Sequence, residues 1–305
     1  MPALITHGMM TLTVADKLVQ NGINVNKKAM LWGAQGPDFL YYHNILSFNP
    51  RKNIRYLGHT LHEMDPQKLF DLMLQYIKEN SNKKDNIILK SYAFGFLTHL
   101  MLDFYAHPFV YSFQDELAEK LSANPRFMHH KIEHNIDVEV LTKLYSKRVN
   151  IFKIRKLLPY NYSVISAQAK MMAYVINNML PTGKISCKSI RKAFMDCRFE
   201  AAMLSDRWGI KRKVAKIIEK YCKLGISLSC FIRTKVPQTD WDYLNEGHSI
   251  WIFKDKFTSK PSTQTFLEIY QNAIDESFEC CTKFDDCVNL REPICFLEKA
   301  TFNCK

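Results

Sequence analysis

The sequence predicts an all-α fold. Apolar residues recur at helical spacing in most long segments, and the alternating apolar–polar pattern of a half-buried strand is scarce. The 10 glycines and 11 prolines are scattered through the 305 residues, so no segment indicates a disordered linker. With 47% hydrophobic and 24% charged residues, the composition is that of a globular protein with a substantial core.

Periodic segments and turn signals together locate the helices. Asp65–Pro66 is typical of a helix start, because an acceptor stands at the N-cap and proline at the first helical position. Asn124–Pro125 introduces a later helix in the same way, and Pro108 is expected to end a helix at His107. The predicted helices cover residues 8–21, 66–80, 90–107, 111–121, 126–147, 160–180, 187–205, 208–233 and 262–282.

A change in composition near residue 150 predicts the organisation of the chain. Nine of the ten histidines precede residue 135, whereas all nine cysteines lie between Cys187 and Cys304. We therefore expect a metal-binding catalytic core in residues 1–150. Residues 151–305 are expected to form a helical C-terminal part that packs on the same domain.

The net charge of +12 favours an anionic partner, and basic residues gather after position 145. Membrane surfaces, phospholipids and nucleic acids all satisfy this condition, although a solvated helix face is the usual explanation of a charged run. The segment 208–233 mixes lysines with apolar residues, which permits an interfacial helix; an amphipathic core helix is the favoured interpretation. No protein partner is predicted.

The expected location is the cytoplasm, with a peripheral membrane association allowed. The N-terminus lacks a basic region followed by a long apolar stretch, and no run approaches the roughly 18 apolar residues that span a bilayer. The odd count of nine cysteines fits thiols that stay reduced.

The histidines are placed beside carboxylates at helical spacings. His99, Asp103 and His107 follow one another at steps of four, so they form one stripe on a helix with apolar surroundings. A buried carboxylate between imidazoles is costly unless it is paired or binds metal. Because His99 and His107 are about 12 Å apart along the axis, they cannot easily share one ion, and a metal-binding stripe implies at least two ions.

A second group of candidate ligands lies on the following predicted helix. His129 and Glu133 are four residues apart and share a face, and together with His107 they supply three ligands with an open position. His130 and His134 form a competing pair on an adjacent face. Periodicity alone leaves both pairs open, as well as an exposed ion pair without metal.

At these residues the chain resembles the zinc-dependent phospholipase C family. The resemblance is carried by an ordered series of segments: MPALITH, GAQGPDFLYY, LGHTLH, GFLTHLMLDFYAHP, HHKIEHNID, DYLNEGHSIW and FLEIYQNA. It implies a multi-helix bundle with a buried site for two or three zinc ions and a phospholipid substrate. Secreted members place a tryptophan ligand at their mature N-terminus; no tryptophan precedes His7, and the amine of Pro2 is the available substitute.

The resemblance implies particular roles for residues of this chain. Asp38 is implied as a zinc ligand or the general base, Asp103 as the bridging ligand, and His62 is preferred to His59. Phe39, Tyr41 and Tyr42 are candidates for contact with the substrate, although aromatic residues beside a turn are more often core. The implied metal ligands are His7, Asp38, His62, His99, Asp103, His107, His129 and Glu133.

The implied reaction is hydrolysis of a phospholipid head-group phosphodiester by water. Two alternatives remain. Some zinc nucleases share this architecture, and the basic C-terminal half would suit a polyanion. The second alternative is a metal-binding protein that associates with membranes without turnover.

Overall fold

The computed structural model is organised around one long central helix. It describes residues 4–45, 53–80, 83–122, 124–149, 151–181, 184–206, 208–222, 229, 232–233, 236, 240–254, 259–290, 293–297 and 300–302. Within these ranges the α-helices are Leu4–Gln20 (α1), Lys27–Gly33 (α2), Tyr56–His62 (α3), Pro66–Asn80 (α4), Lys83–Lys120 (α5), Pro125–Lys143 (α6), Tyr162–Met179 (α7), Cys187–Met203 (α8), Ile210–Cys222 (α9) and Phe266–Leu290 (α10).

The all-α prediction is confirmed. The described residues add one antiparallel hairpin of two short strands, Trp251–Lys254 (β1) and Ser259–Ser262 (β2). The separate helices predicted over 90–107 and 111–121 are wrong, because α5 continues through Pro108. A proline inside a helix removes one backbone hydrogen bond, and here the packing around α5 outweighs that loss.

α5 forms the centre of the hydrophobic core. It contacts α1, α2, α4, α6, α7, α10 and β1, so most elements of the bundle pack against it. Its segment Asp85–Lys120 is long and apolar enough to cross a membrane by composition, yet 89% of its most apolar window is buried inside the protein. This burial is the behaviour of a core helix.

Two glycines let α2 cross α5 at backbone contact. A Cβ atom on Gly95 would collide with the carbonyl oxygen of Met30, and one on Gly33 with that of Tyr92. The turn that follows α2 is thereby held against α5. Within that turn Gly36 has φ +48°, and a Cβ there would overlap the imidazole of His99. The glycines thus bring the turn with Asp38 to one face of α5.

The C-terminal part packs on the N-terminal helices. α10 runs along α1 and α5, and the ring of Trp251 on β1 meets that of Phe109 at 5.6 Å. Cys281 is buried among these helices. Among the described cysteines no disulfide forms.

Candidate metal centre

Five elements bring the predicted ligands to one buried region. α1 carries His7 near its start, the 3-10 helix Asp38–Tyr42 begins with Asp38, and α3 ends at His62. The other positions lie on consecutive turns of α5 and α6, namely His99, Asp103, His107, His129 and Glu133. Most of these side chains are buried, with exposed fractions of 0% for His99 and 3% for Asp103.

The first group of ligands surrounds Asp103 and is called the Asp103 cluster; its members are His7, Asp38, His62, His99 and Asp103. Asp103 Oδ1 lies 3.3 Å from His7 Nε2, and its Oδ2 lies 3.2 Å from His99 Nε2 and 3.9 Å from His62 Nε2. Asp38 Oδ1 is 3.2 Å from His62 Nε2. One aspartate therefore faces three imidazoles from three helices.

The second group, called the Glu133 cluster, contains His107, His129 and Glu133. His129 Nε2 lies 3.1 Å from Glu133 Oε1, and the rings of His107 and His129 are 5.8 Å apart. The ligand atoms of the three residues all lie within 4.8 Å of one another. His99 and His107 fall in different clusters, which agrees with their axial separation on α5.

The spacing of ligand atoms fits zinc. With zinc–ligand bonds of about 2.05 Å, tetrahedral coordination separates neighbouring ligand atoms by about 3.3 Å. The nitrogen–oxygen distances of 3.1–3.3 Å in both clusters match this value. Within the described part of the chain, His99 Nε2 and Glu133 Oε2 are buried and accept no hydrogen bond. A divalent cation would satisfy both atoms.

Hydrogen bonds fix the orientation of the imidazoles. Nδ1 of His62 donates to the Gly58 carbonyl at 2.6 Å, and Nδ1 of His99 donates to the Ala34 carbonyl at 3.1 Å. Because Nδ1 carries the proton in each neutral ring, the lone pair of Nε2 points towards the carboxylates. Such partners orient metal-binding histidines and raise their basicity.

In the Glu133 cluster the same role belongs to residues that no sequence pattern indicated. Nδ1 of His107 donates to the carbonyl of Phe302 at 2.6 Å, and Nδ1 of His129 donates to Gln114 Oε1 at 3.0 Å. The ring of Phe302 is fully buried and lies 5.5 Å from that of His62. The C-terminal segment therefore contacts both clusters.

The charges of the site act strongly on its own ionisable groups. Burial would raise the pKa of Asp103, but the neighbouring imidazoles of His99 and His107 and a hydrogen bond from His7 hold it well below its usual range. Burial would lower the pKa of His7, yet Asp103 raises it overall. Burial prevails at His107 and lowers its pKa. Binding of a cation by His7 at the Asp103 cluster therefore competes with protonation of the same imidazole.

The alternative histidines lie outside these clusters or at their edge. His59 is exposed and pairs with Glu63 at 3.4 Å. His130 approaches Glu133 Oε2 only at 3.8 Å, and His134 is buried without belonging to any of the described ligand groups.

Of the aromatic candidates for substrate contact, Tyr41 is the one that reaches the site. Its ring is half-buried and lies 5.9 Å from that of His62, and burial raises the pKa of its hydroxyl. Phe39 is fully buried and stacks on Phe194 at 4.0 Å, and Tyr42 is also buried. Phe39 and Tyr42 therefore pack in the core, the alternative already favoured for aromatic residues beside a turn.

Gln114 offers a test of the Glu133 cluster. We expect Gln114→Ala to weaken the binding of one zinc equivalent by about 10–100-fold, because His129 loses the acceptor that orients its ring. Chelator competition on the zinc-loaded protein measures this change. Gln75→Ala, which removes a surface hydrogen bond to Glu79 on α4, is the matched control. Equal zinc affinity in the two variants would contradict the role of Gln114.

Comparison with known proteins identifies the family to which the chain belongs. The family model described as zinc-dependent phospholipase C matches residues 3–175, more than half of the 305-residue chain, and this range contains both clusters. Comparisons with curated proteins and with solved structures gave no significant match. With its buried histidines and carboxylates spaced for zinc and this match over most of the helical core, the chain belongs to the zinc-dependent phospholipase C family.

Proposed function

We propose that this chain is a zinc-dependent phosphodiesterase that hydrolyses the head-group phosphodiester of phospholipids, as a phospholipase C does. The observation that carries the proposal is the position of Asp103, whose two oxygens face imidazoles from three helices while His107 stands one turn away. Such an arrangement suits an aspartate that bridges two cations. The proposed ligands are His7, Asp38, His62, His99, Asp103, His107, His129 and Glu133, which hold two or three zinc ions.

The zinc ligands, Asp38 and Tyr41 have different proposed roles in the hydrolysis. Zinc held here supplies positive charge for the phosphate oxygens and lowers the pKa of bound water. Asp38 is the proposed general base: it takes a proton from the attacking water as the new oxygen–phosphorus bond forms. The bond from phosphorus to the alcohol breaks, and the alcohol takes up a proton from solvent. Tyr41, at the edge of the Asp103 cluster, is proposed to contact the phosphodiester.

Product analysis with the zinc-loaded protein tests this function. We expect release of phosphocholine from phosphatidylcholine, loss of that release with a chelator, and recovery with zinc. Asp38→Asn should lower the rate by about 10²–10⁴-fold, the usual contribution of a general base. Asp71→Asn on the surface of α4, where Asp71 accepts a hydrogen bond from Gln67, is the control and should be neutral.

Two outcomes would replace the proposal. Cleavage of single-stranded DNA without cleavage of lipid would assign the site to a nuclease-like phosphodiesterase. Full zinc binding without hydrolysis of either substrate would assign a metal-binding protein without turnover.

A further inference from the structure

Helix α9 exposes its apolar side chains. Ile210 is 61%, Ile217 56% and Tyr221 76% exposed, whereas Ala215 is buried. In an amphipathic helix that packs on a core, the apolar residues face inwards. The favoured sequence interpretation, an amphipathic core helix, is therefore wrong for residues 210–222. The remainder of the helix predicted over 208–233 falls largely outside the described residues.

The exposed residues form one continuous face, called here the α9 stripe: Ile210, Val214, Ile217 and Tyr221. Their steps of four, three and four residues place them on one side of the helix. The other half of α9 contacts the protein, since Arg212 donates to the carbonyl of Ile232 at 3.3 Å and Glu219 accepts from the hydroxyl of Ser229 at 3.0 Å. The stripe is thus directed to solvent by specific contacts on the far side.

Basic residues flank the stripe. Lys213 lies four residues before Ile217 and Lys220 three residues after it, both on one border, and Lys216 lies next to them; all three are exposed. A helix with apolar residues facing outwards and lysines along its border has the composition of an interfacial membrane helix. Its charge is complementary to an anionic lipid surface.

The basic surface continues beside the start of α9. A cavity of about 360 Å³ is lined by Asp206, Lys153 and Arg155. A neighbouring cavity shares Lys153 and the exposed Ile151 with it, and three further basic residues, Lys147, Arg148 and Lys156, belong to its lining. Positive charge and one more exposed apolar residue therefore lie close to the start of α9.

The N-terminus of α9 is fixed before any partner binds. Asp206 Oδ2 accepts from the backbone N–H of Arg212 at 3.0 Å, and further N–H groups of this turn lower the pKa of Asp206. A carboxylate at a helix N-terminus satisfies its free donors and its dipole. Docking through α9 consequently does not require the helix to form on the surface.

We propose that the α9 stripe docks on a bilayer containing anionic phospholipid, with Ile210, Ile217 and Tyr221 entering the head-group boundary and the flanking lysines contacting lipid phosphates. The role of this docking in bringing the enzyme to its substrate rests on the proposed function. The binding of the α9 stripe to a bilayer does not depend on that function. The apolar stripe favours a bilayer over nucleic acid, because a phosphate backbone offers nothing to bury isoleucine side chains.

Flotation of the 305-residue chain with vesicles tests the docking surface. We expect binding to vesicles of phosphatidylcholine mixed with phosphatidylglycerol, weaker binding to phosphatidylcholine alone, and a decline as salt is raised. Ile217→Asp combined with Tyr221→Ser should lower the partition coefficient by at least about tenfold, the value of one buried apolar side chain. Lys213→Gln with Lys220→Gln should also lower it by about tenfold or more.

Matched controls separate the stripe from general effects. Leu290→Asp removes another exposed apolar residue, 65% accessible, and Lys170→Gln with Lys188→Gln removes two exposed charges from α7 and α8. Both controls should bind vesicles like the wild type. Equal binding of the stripe variant and the wild type, or binding to single-stranded DNA in place of vesicles, would overturn the proposal.

A soluble substrate distinguishes this proposal from the proposed function. The stripe variant should hydrolyse monomeric short-chain phosphatidylcholine at the wild-type rate, because α9 carries none of the proposed ligands. Vesicle binding by a wild type that hydrolyses no lipid would refute the hydrolase and support the docking surface. Hydrolysis with no vesicle binding would refute the docking surface alone.

Discussion

Asp103→Asn is expected to lower phosphodiester hydrolysis by about 10³-fold or more. Asparagine keeps the shape of the side chain but removes its charge and turns an N–H donor towards histidines at 3.2 and 3.3 Å. A neutral amide cannot bridge two cations. Loss of several kcal/mol of metal-based stabilisation corresponds to a rate change of this size. Hydrolysis of phosphatidylcholine and zinc content per protein are the two measurements.

The zinc content of Asp103→Asn distinguishes loss of a metal ligand from a general loss of activity. We expect Asp103→Asn to bind less zinc while its helical circular dichroism stays unchanged, since the substitution is isosteric and removes a charge from a site that is 3% exposed. Asp275→Asn, which removes an exposed partner of Lys17, is the control and should keep its zinc and its rate. Full zinc content and a rate within tenfold of the wild type in Asp103→Asn would refute the bridging role.

Local spacing predicted part of this site. The stripe of His99, Asp103 and His107 follows from steps of four on a helix, and the separation of its two histidines into different clusters follows from axial rise. The convergence of α1, α3 and α6 on that stripe did not follow from spacing. It was implied by the family resemblance, which depends on the order of motifs along the chain.

Contacts between distant segments had no sequence signal. Phe302 meets His107 across 195 positions, and Gln114 is an ordinary polar residue until α6 places His129 beside it. The predicted helix end at His107 was wrong, because packing along α5 outweighs the local tendency of Pro108 to end a helix. The α9 stripe shows the same limit, since an apolar periodicity is identical whether its face is turned inwards or outwards.

α6 links the position of α1 to the candidate metal centre. Glu133 belongs to the Glu133 cluster, and Asp137, one turn later, accepts hydrogen bonds from the backbone N–H of Thr6 at 2.7 Å and from its hydroxyl at 2.8 Å. Asp137 also pairs with Arg233 at 2.8 Å and is fully buried. Because His7 follows Thr6 directly, the carboxylate of Asp137 fixes the turn of α1 that carries this candidate ligand.

Asp137→Leu is therefore expected to lower the free energy of unfolding by about 3–5 kcal/mol, since it leaves the guanidinium of Arg233, 5% exposed, without its carboxylate. Arg233→Met should cost less, because Thr6 and Ile5 still donate to Asp137. The double variant should regain part of the loss, which gives a coupling energy above about 1 kcal/mol in urea unfolding.

The exposed pair of Lys17 and Asp275 supplies the reference for that cycle, and its coupling energy should lie between 0 and about 1 kcal/mol. Asp137→Leu should also bind less zinc than Arg233→Met, because only the former releases the N–H groups at the start of α1. If the buried pair couples no more strongly than the exposed pair, or if Asp137→Leu keeps its zinc, then α1 is positioned by hydrophobic packing alone. His7 would in that case reach Asp103 without help from α6.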